Sequence, residues 1–213
     1  MLALGLMDMV QTAVHPHPFP EITTLRDGAA LARYEIDPGL GAFWGYPEGR
    51  AQIVREALGK ALCTPGAEVR VAVNGALILG YLLITPPALD QPWGRLRDPR
   101  IMEVSVEVAR GQRGQGVAAT LLSRAFSGPE AESRIYVAAA YVWCWDVKGA
   151  GIGTTVYADR LLRLFERSGF RREWTNEPNI ALEPVNFMAV RIGRLVPSAL
   201  IRRFRQAERG EAA

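Results

Sequence analysis

The run from Ile101 to Phe126 constrains the fold more than any other part of the chain. It begins as Ile101-Met102-Glu103-Val104-Ser105-Val106-Glu107-Val108. That alternation has the period of a half-exposed strand and puts Glu103, Ser105 and Glu107 on one face. Gly111, Gly114 and Gly116 break the pattern before Val117 to Phe126 takes up helical spacing. Strand, glycine turn and helix start, in that order, present free backbone N–H groups at the positive end of a helix dipole. Such a site accepts phosphate oxygens. Gly114 and Gly116 let the backbone approach an anion with no Cβ in the way, and Arg113 is placed to add a charge-assisted contact.

The flanking segments set the fold class. Two β-rich runs, Val69 to Val73 and Leu77 to Ile84, meet across Asn74-Gly75, a strong hairpin signal. Helices are expected over Leu25 to Ile36 and Gln52 to Ala61. Downstream come a buried strand over Ile135 to Trp145, a helix over Tyr157 to Ser168, strand material near Asn186 to Ile192, and a final helix within Arg191 to Arg205. A hairpin followed by one crossover predicts an α+β fold, a mixed sheet with helices on its faces. The chain, 213 residues with no repeat or low-complexity linker, fits a single domain over 21–205. Residues 1–20 read as a weakly ordered extension and 206–213 as a tail. With no basic residue before Arg26, the opening segment lacks the positive region of a secretory signal.

Composition removes several chemistries. Of the 25 basic residues only Lys60 and Lys148 are lysines, and both histidines, His15 and His17, lie in an opening His-Pro-His-Pro. A Ser-His-Asp or Cys-His arrangement would have to borrow from that segment. Cys63 and Cys144 make neither a Cys-rich zinc site nor a disulfide framework, so no metal is expected and a reducing cytoplasm is the default. The net charge of +3 comes from scattered arginines, which argues against nucleic acid. No apolar run approaches the ~20 residues that span a bilayer, so no membrane segment is expected.

Three phosphate-cradling patterns compete for the glycine segment. A P-loop needs Gly-Lys-Ser/Thr, and Val117 follows Gly116. Gly114-Gln115-Gly116-Val117-Ala118-Ala119 fits the dinucleotide pattern loosely, but it follows a hairpin, and the next strand offers no carboxylate before Asp146. The third, Arg/Gln-x-x-Gly-x-Gly/Ala, is met by Arg113-Gly114-Gln115-Gly116-Val117-Ala118. It resembles the acyl-CoA-binding motif of the GNAT N-acetyltransferase superfamily. Phe165-Glu166-Arg167-Ser168-Gly169-Phe170 is similar to that superfamily's Tyr-Glu-Lys-x-Gly-Phe helix end, with Phe165 where Tyr is usual.

A narrower likeness covers about residues 33 to 205. Tyr141-Val142-Trp143-Cys144-Trp145-Asp146-Val147-Lys148-Gly149-Ala150-Gly151, followed by Tyr157, resembles a signature of the acetoin-utilization acetyltransferase (AcuA) family. Val190 to Pro197, Asp37-Pro38 with Ala42-Phe43, and Gly80-Tyr81 match further positions. The resemblance implies a GNAT fold and a cytoplasmic protein-lysine acetyltransferase that uses acetyl-CoA and inactivates acetyl-CoA synthetase at its active-site lysine. It also implies that backbone groups of Val106 and Val108 pair with the pantetheine, and that the loop Arg113, Gly114, Gln115, Gly116, Val117 and Ala118 holds the phosphates. Acetylation of a small amine, and a non-catalytic CoA-binding partner of the synthetase, are the competing readings.

Lysine acetylation needs a neutral amine, and with a pKa near 10.4 only about one amine in two thousand is neutral at pH 7. With no usable His, Glu103 and Glu107 are the candidate bases, with Glu103 preferred and Glu107 expected beside the pantetheine arm. Tyr157 is the candidate acid or thiolate donor. Trp145 and Asp146 are candidate acceptor-groove residues, although an Asp146–Lys148 or Asp146–Arg pair accounts for the carboxylate equally well. Trp143 and Trp145 are expected to share one face of a strand, opposite Cys144, which no His can activate.

Overall fold

The computed structural model describes residues 19–42 and 50–210. His15, His17, Phe43 and most of the expected N-terminal extension therefore lie outside the described residues. In chain order the elements are β1 (Glu21–Leu25), α1 (Gly28–Leu31), β2 (Glu35–Ile36), α2 (Ala51–Leu62), β3 (Glu68–Asn74), β4 (Leu77–Thr85) and β5 (Ile101–Val108). They continue with α3 (Val117–Phe126), β6 (Ile135–Ala140), α4 (Val147–Ala150), α5 (Thr154–Glu166), β7 (Arg171–Glu173), α6 (Pro178–Ala181), β8 (Phe187–Ile192) and α7 (Ser198–Arg209). The sheet order is β1-β3-β4-β5-β6-β8-β7, with β2 added beside β4. All neighbours on that path are antiparallel except β5 and β6. The α+β mixed sheet expected from the sequence is present.

Strand alternation divides the core between the two faces. Met102, Val104 and Val108 of β5, with Tyr136 and Ala138 of β6, face Leu121, Leu122, Phe126 and Phe165 of α3 and α5. The opposite face is covered in two patches. Val69, Val71, Val73 and Ile78 pack under Val54 and Leu58 of α2, and Ile135, Val137, Met188 and Val190 pack under Leu200 and Phe204 of α7. Between these patches run Glu103, Ser105 and Glu107, with Ser105 exposed.

Three local expectations need correction. Leu25 to Ile36 is not one helix: Leu25 ends β1 on the edge of β3, and Glu35–Ile36 is drawn out as β2 beside β4. Asp27 then caps a single turn, its Oδ1 accepting from Ala30 N at 2.7 Å. The hairpin turn is Gly75-Ala76 rather than Asn74-Gly75. Asn74 still pairs with Leu77, and Gly75 takes the positive φ, 58°, that a glycine-first two-residue turn requires. The strand expected over Ile135 to Trp145 stops at Ala140. Beyond it the buried Asn186 accepts from Val142 N through Oδ1 at 2.7 Å and draws the chain into a 3-10 turn, Val142–Cys144. Trp143 and Trp145 therefore do not share a strand face: Trp143 is 46% exposed and Trp145 4%.

Helix α7 extends to Arg209 and buries Glu208 in its last turn. Burial pushes the Glu208 carboxyl up to about 7, against the pull of Arg205, and its Oε2 has no hydrogen-bond partner. The fold therefore favours the protonated form. Its stabilising effect is complete below the unfolded value near 4.5 and is lost as pH rises towards 7. Glu208→Gln is expected to flatten this decline and to stabilise the protein above pH 7 by on the order of 2 kcal/mol. Urea denaturation between pH 4.5 and 8 measures it, and parallel curves for the two proteins would refute it.

Candidate functional site

The parallel pairing of β5 with β6 covers only Ile101–Ile135, Met102–Tyr136 and Glu103–Val137. Both strands then run on unpaired with each other, to Val108 and Ala140, and a wedge opens in the middle of the sheet. Ala109 N donates to Leu79 O across β4, so the alternate residues Val104, Val106 and Val108 turn their backbone groups towards the wedge. Consistently, Val108 O accepts from Arg113 Nε at 3.0 Å on that side. The backbone of Val106 and the N–H of Val108 thus face the wedge, while Val108 O is occupied by Arg113.

The wedge continues into a cleft of about 790 Å³, bordered by the glycine loop on one side and α5 on the other. Gly114 and Gly116 hold φ values of 78° and 83°, and a Cβ added at either would meet nothing within 4 Å. The backbone conformation, not crowding, demands glycine there. Helix α3 starts at Gly116 with no side-chain cap. Among the described residues, no acceptor takes the N–H groups of Val117, Ala118 and Ala119, which stand at the positive end of the helix. Across the cleft, Arg160, Arg163 and Arg167 form one stripe on α5, and none has an ion-pair partner among the described residues.

Arg113 does not point freely into this cleft. Its Nη1 donates to Asp146 Oδ2 at 2.7 Å, while Arg110 binds Asp146 through Nε at 2.5 Å and Nη2 at 2.7 Å. Gly149 N donates to the same carboxylate at 3.0 Å, so Asp146 also caps α4. Burial raises the Asp146 pKa, but the two guanidinium groups and the Gly149 amide outweigh it and hold the carboxyl at about 2. Of the two readings open for Asp146, the Asp–Arg pair is the one formed. A Cβ at Gly149 would meet Arg110 Nε and Asp146 Oδ2, so only glycine fits beside this cage. The spacing of Arg110 and Asp146 gave no signal that they would meet.

Glu107, Tyr157 and Trp145 all line the cleft. Glu107 accepts from Tyr81 Oη and from Gly41 N, both at 2.7 Å. Burial raises its pKa against those bonds and the charge of Arg113. Tyr157 stacks on Trp145 with ring centroids 5.4 Å apart. Burial keeps the Tyr157 phenol protonated beyond its ordinary range, although its oxygen accepts from the Asp146 backbone. Gln115 turns back to Gly111 O at 3.0 Å. Glu103 is not on the cleft wall. Its Oε1 accepts from Trp93 Nε1 at 2.9 Å on the far face of the sheet, and burial raises its pKa too. Phe165 is buried against Phe170 and lines no part of the cleft. Cys144 borders the cleft with its thiol pKa raised by desolvation, which disfavours the nucleophilic thiolate.

No family model matches the chain. Acetoin utilization protein AcuA of Bacillus licheniformis is 29% identical over 175 residues, 82% of this chain and 81% of that protein. AcuA of Bacillus subtilis matches to the same extent. A crystal structure of an acetoin utilization protein from Exiguobacterium sibiricum superposes with a TM-score of 0.80, covering 90% of this chain and 95% of its own at 24% identity. The chain has the GNAT fold and is similar in sequence to AcuA. A GNAT-family acetyltransferase from Streptococcus pneumoniae shares the fold more distantly, with a TM-score of 0.50 over 81% of this chain at 16% identity.

Among the described residues no helix is long and apolar enough to cross a membrane, and no cluster of three or more His, Cys, Asp or Glu is placed to hold a metal ion.

Proposed function

We propose that the protein is an acetyl-CoA-dependent N-acetyltransferase acting on a protein lysine, with acetyl-CoA synthetase in the cytoplasm as the substrate that the AcuA resemblance implies. The observation carrying this reading is the wedge. It is a slot with an unpaired strand edge, with free helix N–H groups and an arginine stripe at one end and the Glu107 carboxylate at the other. A pantetheine arm joined to a nucleotide pyrophosphate has that shape and charge order. The first turn of α3 and Arg160, Arg163 and Arg167 would hold phosphates, and Val106 and Val108 would pair with the amides of the arm.

When bound, acetyl-CoA supplies an activated thioester carbonyl. Glu107, raised in pKa and facing the cleft, takes the proton that an incoming ammonium must lose. The neutral nitrogen attacks the carbonyl carbon, the C–S bond breaks, and the nitrogen's second proton is passed to the departing thiolate, with Tyr157 as its donor. A thiolate of ordinary basicity needs little help to leave, so Phe165 in place of Tyr does not remove an essential group. Glu107 is the carboxylate assigned to proton handling, and Glu103, held by Trp93 Nε1 off the cleft wall, has no step in this reaction.

Arg160→Glu/Arg163→Glu/Arg167→Glu is expected to raise the KM for acetyl-CoA about 100-fold and leave the KM for the acceptor within about twofold, since phosphate contacts contribute ~1–3 kcal/mol each. Steady-state kinetics with each substrate varied checks it. The function itself is tested by incubating the protein with acetyl-CoA and purified acetyl-CoA synthetase and mapping acetyl-lysines by mass spectrometry. Acetylation of one synthetase lysine supports the proposal; CoA release only with small amines, or binding without transfer, defeats it.

A further inference from the structure

Beyond Ala140 the chain leaving β6 has a strand on either side to follow. On one side is β5, whose pairing with β6 ends at Glu103–Val137. On the other is β8, whose ladder with β6 runs on to Ala140–Phe187. The next side chain on that second line, Asn186, prolongs the ladder by one bond, accepting from Val142 N at 2.7 Å. Its Nδ2 donates to Asn179 O, also at 2.7 Å. Val142 N can only donate and Asn179 O can only accept, so the amide has a single satisfied orientation. Asn186 is 1% exposed, a depth at which an amide is stable only with both ends paired.

The turn that Asn186 holds forms one wall of the slot. Cys144 N donates to Tyr141 O and Trp145 N to Val142 O, which closes the turn and delivers Cys144 and Trp145 to the cleft, with Val106 and Val108 on the facing wall. Trp145 lies between Tyr157 on the cleft side and Phe187, the neighbour of Asn186, behind it. Asn186 itself lines no part of the cleft. Its own support comes from further back. Glu177 caps α6 by accepting from Ile180 N at 2.9 Å, Glu177 N donates to Thr175 Oγ1 at 3.1 Å, and that hydroxyl donates to Glu208 O at 3.0 Å in the last turn of α7. Among the described residues, the buried polar and charged side chains are Asp146, Thr175, Glu177, Asn186 and Glu208. Four of them stand on this one line, and the fifth, Asp146, follows directly on the turn that the line ends in. Satisfied buried polar groups linked in this way rigidify what they hold.

We infer that Asn186 is a positioning residue that keeps the wedge open for the pantetheine arm, by holding the chain after β6 against β8 and away from β5. This rests on the acetyl-CoA reading and adds a side chain outside the cleft that shapes its slot. Without the bond, Val142 N is a buried donor with no partner, and moving the wall towards the unpaired groups of β5 becomes one way to satisfy it.

The test uses the intact protein and two ligands, CoA and adenosine 3′,5′-bisphosphate, which carries phosphates but no pantetheine arm. Asn186→Ala is expected to weaken CoA binding about tenfold, as for a slot open in roughly one molecule in ten, and to leave the bisphosphate within about twofold. Val142→Pro deletes the donor from the other side of the bond, at the first position of the 3-10 turn where proline is tolerated, and is expected to show the same selective loss. Asn186→Asp keeps the acceptor and, protonated by its burial, the donor, so CoA affinity should return to within about threefold of wild type. Calorimetry measures all of these. Unchanged CoA binding in Asn186→Ala and Val142→Pro, an equal loss of both ligands, or no recovery in Asn186→Asp overturns the assignment. A wild-type protein that binds no CoA overturns the acetyl-CoA reading instead, so the two failures are told apart.

Discussion

Glu107→Gln is expected to lower kcat by about 10²–10⁴-fold, the range for loss of a positioned general base, with acetyl-CoA affinity within about threefold of wild type. Gln keeps the shape: its one oxygen can accept from Gly41 N, and its amide nitrogen donates to Tyr81 Oη where the carboxylate's second oxygen accepts, the two partners of Glu107 at 2.7 Å. What it cannot do is take a proton. Because burial raises the Glu107 pKa, wild-type kcat should climb with pH through that raised value and then level off, and the climb should vanish in Glu107→Gln. Tyr81→Phe is the companion variant. Removing its hydroxyl deletes a bond that favours the ionised carboxylate, so the climb moves to higher pH with the plateau kept. Glu103→Gln separates the two carboxylates: with Glu103 off the cleft wall, it should leave the climb in place. A pH–rate profile that is unchanged in Glu107→Gln and lost in Glu103→Gln would reverse the assignment.

Asp146→Ala should be the most destabilising single change near the site. The carboxylate is 2% exposed and compensates two guanidinium groups while capping α4. Its removal leaves Arg110 and Arg113 facing each other without an anion. Breaking a buried pair costs about 3–5 kcal/mol, and the lower figure applies because both arginines keep some solvent contact. A loss of about 3 kcal/mol corresponds to a fall in Tm of about 10 °C for a chain of this size. The glycine loop should lose its register as well, because Arg113 ties Asp146 to Val108 O. Saturation with acetyl-CoA should therefore weaken more than tenfold even where the variant is folded. Asp146→Asn, which keeps one acceptor oxygen and the cap, should fall between the two. Because the ionised carboxyl is held at about 2, wild type carries this stabilisation above its unfolded value of 3.8 and loses it as pH falls through 2. Thermal unfolding of the three proteins at pH 7, with acetyl-CoA titrations alongside, measures both effects. An Asp146→Ala protein with wild-type Tm would remove the cage from the account.

The strand–glycine–helix run was legible because each of its signals is local. Alternation, positive-φ glycines and helical spacing all act within a few residues, and β5 and α3 appear where the pattern places them. Gly75 also did what a hairpin glycine does, one position along from the pair that drew attention to it. The misread segments share another cause. Residues 25–36 hold a single helical turn because β3 and β4 draw Leu25 and Glu35–Ile36 out as strand. The strand after Ile135 ends early because Asn186, more than forty residues away in sequence, takes the Val142 amide. Tertiary partners of that kind leave no periodic trace. The same holds for the site: the glycine loop could be read directly, whereas the Arg110–Asp146–Arg113 cage is assembled from segments that only the fold brings together. The arginine stripe at 160, 163 and 167 was readable as one helix face, and its meaning waited on what lay across from it.

The short pairing of β5 with β6 has a consequence for the molecule as a whole. Only three residue pairs join the half of the sheet built on β1, β3 and β4 to the half built on β6, β8 and β7. On the proposed reading, the rest of that seam is supplied by a diffusible thioester that arrives, lends its amides to the exposed strand edge, and departs as a free thiol. The sheet is then whole only while a substrate or product lies within it. Its cohesion would rise and fall with every turnover, and with the supply of acyl donor to the protein.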